Sequence, residues 1–193
     1  MYDYDLVVIG GGSGGLACSK EAASYGKRVA VMDYVKPSPQ GTQWGLGGTC
    51  VNVGCIPKKL MHHAGLVGEV LRYDAHEYGW SNGDSVGMEH SWEIMVSNIQ
   101  DYIKALNFGY KSSLHESSVA YHNKLVKFID KHTLQCIDKK DQESIITSER
   151  FVVAVGSRPT QLNCEGAEHA ISSDDIFALK KAPGKTCCVG GGY

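Results

Sequence analysis

The sequence predicts an α/β fold in which a parallel sheet is combined with inserted helices and an antiparallel β-meander. The first observation is a strand, a glycine-rich turn, a helix and a second strand within residues 4–33. The second is a pair of segments with helical spacing of apolar residues between residues 55 and 109. The third is a change to short strands from residue 118 onward. The opening order of elements is typical of a βαβ unit with a parallel sheet.

The opening unit has the clearest pattern. Tyr4–Ile9 is a nearly continuous apolar run, which predicts a strand buried on both faces. A glycine cluster follows, and residues 13–25 predict an alanine-rich helix that ends at Gly26. Residues 28–32 predict the second strand. Together these elements predict a Rossmann-like domain.

The middle of the chain predicts two helices separated by loops. Residues 37–48 predict a loop, a helix is expected to begin near residues 55–57, and residues 78–90 predict a second loop. The next helix is expected to begin after the N-cap Ser91 and to end at Gly109. The apolar positions of the two helices are Leu60, Ala64, Val67 and Leu71, and then Trp92, Met95, Val96, Ile99, Ile103 and Leu106.

The last third of the chain predicts the meander and the start of a second domain. The short strands of the meander are expected at residues 119–121, 125–129, 133–137 and 144–147. Residues 151–155 predict a further strand of the buried type. Residues 185–189 predict a strand that runs into glycines, as at the start of the chain. We therefore expect one domain over residues 1–162 and a truncated second Rossmann domain over residues 163–193.

Composition and charge argue against several classes of protein. The 193 residues carry a net charge of −2, which gives no support for a nucleic-acid partner or an anionic membrane surface. No apolar run approaches the roughly 18 residues that a membrane span needs. The acidic N-terminus resembles neither a signal peptide nor a transit sequence. We expect a cytoplasmic protein, although a processed protein of the mitochondrial matrix would look the same.

The glycine turn predicts a dinucleotide site. Gly10, Gly12 and Gly15 match the pattern G-x-G-x-x-G, which allows a tight turn, close approach of a pyrophosphate and close helix–strand packing. The N-terminus of the following helix favours the anion. Asp33 ends the second predicted strand, where a carboxylate accepts hydrogen bonds from ribose hydroxyls. The motif alone does not distinguish FAD from NAD.

Cys50 and Cys55 predict a redox-active pair. Thiol–disulfide exchange needs a thiolate, and Cys55 lies just before a predicted helix start, where the dipole favours an anion. Lys58 and Lys59 follow within one turn and favour the same charge, and Gly54 lets the two sulfurs approach. A dinucleotide turn followed by such a pair suggests a flavin that passes electrons to a disulfide.

Three other interpretations of the pair remain: two separate core cysteines, a zinc half-site and a static disulfide. The spacing C-x4-C is not the usual zinc spacing, and no second pair matches it. His62 and His63 are adjacent on a predicted helix and point to different sides, so we predict no metal site. Cys187 and Cys188 lie in a predicted strand and are expected in the core.

Longer motifs carry a family resemblance. Residues 47–59 read GGTCVNVGCIPKK, residues 36–46 read KPSPQGTQWGL, and Leu60, Met61 and His62 follow. Further motifs are LNFGY at residues 106–110, SSDD at 172–175 and PGKT at 183–186. With these motifs the chain resembles the large, animal-type thioredoxin reductases. They belong to the pyridine nucleotide-disulphide oxidoreductase group, which includes glutathione reductase and dihydrolipoamide dehydrogenase.

The resemblance implies a function. NADPH would reduce FAD, FAD would reduce the Cys50–Cys55 disulfide, and electrons would pass on to thioredoxin within a homodimer. Cys55 would be the flavin-proximal thiolate that forms a charge-transfer complex, Cys50 the interchange thiol, and Lys58 a neighbour of the reactive flavin nitrogen. Tyr110 matches a tyrosine near the catalytic disulfide. The residues expected around FAD are Gly10, Gly12, Ser13, Gly14, Gly15, Asp33, Tyr34, Gly48, Thr49, Gly54, Leu125, Val126, Val155 and Gly156.

Departures from the family pattern leave alternatives. Val155 stands where relatives usually carry threonine, so a backbone contact with FAD survives and a hydroxyl contact does not. Relatives also commonly carry Ala-Ser-Tyr where this chain has Gly191-Gly192-Tyr193. One alternative is a glutathione reductase, against which Trp44 and its loop argue. The other is a truncated chain that binds FAD without independent activity. Of these 193 residues alone we expect neither NADPH oxidation nor stable dimerisation.

Overall fold

The computed structural model describes residues 1–80 and 89–191. Within these residues, six strands pair in the order β3-β2-β1-β6-β5-β4. The strands are β1 (Tyr4–Ile9), β2 (Val29–Met32), β3 (Ala120–His122), β4 (Leu125–Asp130), β5 (Thr133–Ile137) and β6 (Glu143–Val153). Parallel and antiparallel pairs both occur, and helices cover the sheet, so the predicted α/β fold is confirmed.

The parallel part of the sheet is centred on β1. This strand pairs in parallel with β2 on one side and with the second half of β6 on the other. The first half of β6 pairs antiparallel with β5, and β5 pairs antiparallel with β4. The predicted strands at residues 144–147 and 151–155 are therefore one strand, which joins the meander to the parallel sheet. The strand predicted at 119–121 was wrongly placed in the meander, because β3 pairs in parallel with β2.

The helices that precede the meander are α1 (Ser13–Ser24), α2 (Gly48–Val53), α3 (Cys55–Glu69), α4 (Ala75–Glu77) and α5 (Trp92–Glu116), with a π-helical turn at Val70–Asp74. Helix α5 begins as predicted, because the Ser91 hydroxyl accepts a hydrogen bond from the Ile94 N–H. It does not end at Gly109, which lies in its interior. A single glycine costs a helix about 1 kcal/mol, and burial of Leu114 on the same helix offsets that cost.

Two apolar clusters lie on opposite faces of β1. Val8 packs with Leu16 of α1 and Leu114 of α5 on one face. Val7 and Ile9 pack on the other face, against residues of the meander. Alternating residues of one strand thus contact a helical layer and a meander layer. This arrangement buries β1 on both faces, as its continuous apolar sequence predicts.

Two expectations about burial are wrong. In α3 and the turn that follows it, Val67 and Leu71 are 44% and 41% exposed, so the predicted apolar face is only partly covered. The strand predicted at residues 185–189 does not form, because no described strand pairs with it. Cys187 and Cys188 are exposed for the same reason and do not lie in the core.

The remaining expectations concern the domain boundary, the second loop and membrane-spanning segments. A short helix, α6 (Ser173–Ile176), packs near α2, and the domain boundary after residue 162 stays a prediction. The loop predicted at 78–90 falls largely on residues 81–88, which lie outside the described residues. None of the helices in the described ranges is both long and apolar enough to cross a membrane.

Candidate active site

The glycine turn connects β1 to α1 at the carboxyl edge of the parallel strands. Gly10 has φ of +113°, and its N–H donates to the Met32 carbonyl at 2.7 Å. A Cβ on Gly10 would overlap the Ala154 carbonyl oxygen, and a Cβ on Gly15 would overlap the carbonyl oxygen of Gly10. Gly10 is therefore needed for its backbone conformation and close packing, and Gly15 for helix–strand contact.

The start of α1 is open to an anionic group. The first N–H groups of a helix have no acceptor within it, and Gly12, the N-cap of α1, has no side chain that could accept from them. These N–H groups are therefore free to bind an anion. The backbone of Gly12 lies directly against Gly48, where a Cβ would come within 2.7 Å of the Gly12 Cα. Gly47 also donates its N–H to the Gly11 carbonyl at 3.0 Å. The predicted dinucleotide turn and the loop before Cys50 are therefore in direct backbone contact.

Asp33 follows β2 and faces the glycine turn. Its Oδ1 accepts a hydrogen bond from the Gly11 N–H at 2.9 Å. Burial raises the pKa of the Asp33 carboxyl above its ordinary value, and the hydrogen bond from Gly11 opposes that shift. Asp33 therefore lies where the sequence predicts an acceptor for ribose hydroxyls, with one of its oxygens already engaged by the turn.

The cysteine pair joins two helices. Cys50 lies in α2 and Cys55 is the first residue of α3, and the two form a disulfide with their Cα atoms 4.6 Å apart. A Cβ on Gly54 would lie 2.9 Å from the Thr49 carbonyl oxygen, so the absence of a side chain permits this tight connection. The two cysteines are thus bonded to each other and do not lie apart in the core.

Lys58 lies one turn after Cys55 on α3. Its backbone N–H donates to the Gly54 carbonyl at 3.0 Å, and its side chain is exposed. Lys58 therefore lies in the first turn of the helix that begins at Cys55, and its role beside a flavin stays a prediction.

A cavity of about 450 Å³ is lined by both the glycine turn and Cys50 of the redox pair. It is bounded by the β1–α1 turn, the residues after β2, the loop before Cys50 and the residues that follow β6. The predicted cofactor residues that line it are Gly10, Gly12, Ser13, Gly14, Asp33, Tyr34, Gly48, Thr49, Val155 and Gly156. Cys50 lines it as well, so one half of the disulfide borders the predicted dinucleotide site.

Several predicted residues lie outside this lining. Gly15 directly follows a lining residue, whereas Gly54, Cys55 and Lys58 follow the lining residue Cys50 by four to eight positions. Leu125 and Val126 lie in β4, at the edge of the sheet and three strand positions from β1. Their contact with a cofactor stays a prediction.

Seven residues that the sequence interpretation did not assign to the site also line the cavity: Gly11, Val35, Trp44, Gly47, Ala154, Ser157 and Arg158. The Arg158 guanidinium lies 4.6 Å from the centre of the Trp44 ring, a cation–π geometry. Its Nε and Nη2 donate to Oδ2 of Asp174 at 2.9 and 2.7 Å. A tryptophan inside a glycine-rich loop and an arginine a few residues after a buried-type strand are the signals that could have identified this wall.

Helix α6 fixes the loop that carries Trp44. The Ser38 hydroxyl donates to the Asp175 carboxylate, which is also bonded within the cap of α6. Burial pushes the pKa of Asp175 upward, but hydrogen bonds from Ser38, Thr42 and Ser172 together lower it. Residues from the segment predicted to begin a second domain therefore help to build the wall of the first site.

The other cysteines and the histidines are separate from this site. Cys136 lies in β5 and is buried in the core, Cys18 is half-buried, and Cys164 is exposed. Within the described ranges, no group of three or more His, Cys, Asp or Glu side chains is arranged to hold a metal ion.

Comparison with known proteins identifies the family. The family model described as pyridine nucleotide-disulphide oxidoreductase matches residues 4–193. A curated relative, Thioredoxin reductase SEP1 of Emiliania huxleyi, is 56% identical over 191 residues, which make up 98% of this chain and 38% of the relative. The chain thus spans well under half of that relative's length. The chain belongs to the pyridine nucleotide-disulphide oxidoreductase family, whose members use flavin and pyridine nucleotide, and its resemblance to the thioredoxin reductases within that family is confirmed.

Proposed function

We propose that this chain carries the FAD site and redox disulfide of an NADPH-dependent thioredoxin-disulfide reductase. The observation that carries the proposal is that Cys50 and the glycine turn at the start of α1 line one cavity. A turn suited to a diphosphate and a disulfide suited to exchange are thereby brought within reach of a single ligand. The name of the 56% identical relative supports thioredoxin as the final acceptor.

The residues of the cavity fit a dinucleotide flavin. Gly10 and Gly48 let the backbone of Ala154 and Gly12 pack closely around the turn, and the first N–H groups of α1 suit a diphosphate. Asp33 suits the ribose of the adenosine half. The Cys50–Cys55 disulfide would then lie at the redox-active end of the cofactor, which supplies two-electron chemistry between NADPH and the disulfide when it is bound.

The disulfide carries the electrons onward. An electron pair entering the Cys50–Cys55 bond breaks it, and one proton from solvent leaves Cys55 as the thiolate and Cys50 as the thiol. Cys50 gives up that proton and attacks the next disulfide on the path to thioredoxin. A mixed disulfide forms, and one sulfur of the attacked disulfide leaves as a thiolate, which takes up the proton. The Cys55 thiolate then attacks Cys50, which restores the intramolecular bond and releases the second thiolate. The N-terminus of α3 stabilises Cys55 as a thiolate between these steps.

The partners and the compartment belong to the same proposal. We propose a homodimer as the form that turns over, and a reducing compartment, either the cytoplasm or the mitochondrial matrix. Support for a reducing compartment comes from the exposed free thiols of Cys164, Cys187 and Cys188, because such thiols persist where disulfides are kept reduced.

Titration with FAD tests the proposal. We expect the purified protein to bind FAD, measured by quenching of flavin fluorescence, and to develop a long-wavelength absorbance band on mild reduction. The band is expected to disappear in Cys55→Ser and to persist in Cys50→Ser, because Cys55 is assigned to the flavin side. Failure to bind FAD would refute the cofactor assignment. The opposite behaviour of the two variants would exchange the roles of the cysteines.

The identity of the acceptor needs a separate experiment. In a preparation that oxidises NADPH, we expect thioredoxin disulfide to be reduced and glutathione disulfide to be a poor substrate. Preference for glutathione disulfide would make the protein a glutathione reductase.

A further inference from the structure

Two asparagine side chains lock the loop that precedes the redox helix. Asn52, only 2% exposed, donates to the carbonyl oxygens of Gly45 and Gly48 at 3.2 and 2.8 Å. Asn107, from α5, donates to the Leu46 carbonyl at 2.6 Å and to Oδ1 of Asn52 at 2.9 Å. All four amide hydrogens of the two side chains are therefore engaged. The two side-chain amides together donate hydrogen bonds to three of the four backbone carbonyls of residues 45–48.

This loop needs such partners because of its conformation. Gly47 and Gly48 have φ of +125° and +76°, so the chain turns sharply, and the carbonyls of Gly45 and Leu46 lie before the start of α2, outside any helix or strand. A buried carbonyl without a donor costs about 1–3 kcal/mol. The two amides supply those donors, one from α2 itself and one from a long helix of the scaffold.

The locked loop is also the physical link between the two halves of the site. On one side its Gly47 N–H binds the Gly11 carbonyl, and Gly48 contacts Gly12. On the other side it leads directly into α2, which carries Cys50. The position of the disulfide relative to the dinucleotide turn is thus set through this one segment.

We propose that Asn107, acting through Asn52, is a positioning residue that holds the redox disulfide at a fixed distance from the dinucleotide turn. Asn107 does not line the cavity with the glycine turn, so it acts through the loop and not through contact with a cofactor. The part of the proposal that concerns electron transfer rests on the proposed flavin function. The part that concerns the disulfide itself does not.

Asn107→Asp is the decisive substitution. It keeps the size of the side chain, removes both amide hydrogens and places a carboxylate against the Leu46 carbonyl and Asn52 Oδ1. The matched control is Asn123→Asp, since the Asn123 side chain is exposed and is bonded only to the Tyr121 hydroxyl among its described contacts. Circular dichroism verifies folding in both.

Two readouts separate positioning from general stability. Without flavin, we expect dithiothreitol to reduce Cys50–Cys55 about fivefold faster or more in Asn107→Asp. The reason is that losing a buried hydrogen bond raises the equilibrium constant for local opening of α2 by about that factor. With FAD, we expect the dissociation constant to stay within about threefold of wild type while the long-wavelength band loses about half its intensity or more. Asn123→Asp is expected to match wild type in both.

Gly45→Ala provides a second approach if Asn107→Asp does not fold. The new methyl group would overlap the Asn107 side-chain amide, which must move, although both asparagines remain. Gly109→Ala on α5 is its control, since a Cβ there meets no atom within 4 Å. We expect Gly45→Ala to show the same faster reduction and weaker band. If both site variants reduce at the wild-type rate, the positioning role is refuted; if wild type binds no FAD, only the proposed function fails.

Discussion

Two segments of this chain share one local sequence pattern and have different structures. Residues 4–12 and residues 185–191 each run from an apolar stretch into glycines. The first forms β1 and a turn into α1, with Val7 and Val8 fully buried. The second has no regular structure, and its Val189 is 71% exposed.

The difference lies in the neighbours and not in the local sequence. β1 has a parallel strand on each side and an apolar cluster on each face. No described strand pairs with residues 185–189, and these residues are exposed. An apolar strand pattern therefore forms a strand only where neighbouring strands are present to pair with it, because β propensity depends on packing.

Alanine substitution of a glycine is expected to show the largest difference in stability between the two segments. Gly10 and Gly190 both have positive φ, +113° and +100°, but a Cβ at Gly10 would overlap the Ala154 carbonyl, and a Cβ at Gly190 meets no atom within 4 Å. We expect Gly10→Ala to lower the free energy of unfolding by about 3 kcal/mol or more and Gly190→Ala by less than about 1 kcal/mol. Urea denaturation measures both. Equal effects would show that residues 185–191 are packed.

Thiol reactivity provides the next contrast. Cys136 is buried against the opening strand and burial raises the pKa of its thiol, whereas Cys187 and Cys188 are exposed. We expect iodoacetamide to modify the exposed pair about a hundredfold faster or more, because Cys136 requires local opening of the core. Mass spectrometry of peptides at timed intervals measures each site. Protection of Cys187 and Cys188 would indicate a covered segment.

The same contrast explains how much could be predicted from sequence. The β1–α1–β2 unit was predicted closely, because burial, helix period and glycine positions all agree there. Helix α2 was missed, since its glycine, threonine and valines have low helix propensity. It is held by Asn52 and Asn107, which lie 55 residues apart, and no local pattern shows such a contact. Arg158 and Trp44 were not assigned for the same reason.

The valines of the two segments test packing alone. Val8 has no exposed surface, and Val189 is largely exposed. We expect Val8→Ala to cost about 2 kcal/mol through lost burial and a small cavity, and Val189→Ala to cost less than about 0.5 kcal/mol. Thermal and urea unfolding measure the difference. A cost at Val189 equal to that at Val8 would contradict the exposed conformation.

The smallest expected effect concerns Asp33, the carboxylate that follows the β1–α1–β2 unit. Residues 185–191 contain no carboxylate. Burial raises the pKa of Asp33, so the folded state holds this proton more tightly than the unfolded state does. Its contribution to stability is full in acid and is lost as the pH rises through the raised pKa. Asp33→Asn keeps an acceptor for the Gly11 N–H and removes the buried charge. We expect a slightly higher urea midpoint than wild type at pH 7 without ligand, and a difference that vanishes in acid.

Asp138→Asn is the control of opposite sign. Backbone hydrogen bonds from Gln142 and then Lys140 lower the pKa of Asp138, so its contribution is present at neutral pH and lost as the pH falls through the lowered pKa. We expect Asp138→Asn to lower the midpoint at pH 7, and again to match wild type in acid. If Asp33→Asn instead lowers the midpoint at pH 7, the carboxylate has a compensating partner in the turn. Asp33 would then stabilise the folded turn before any ribose binds, and its main role would be structural.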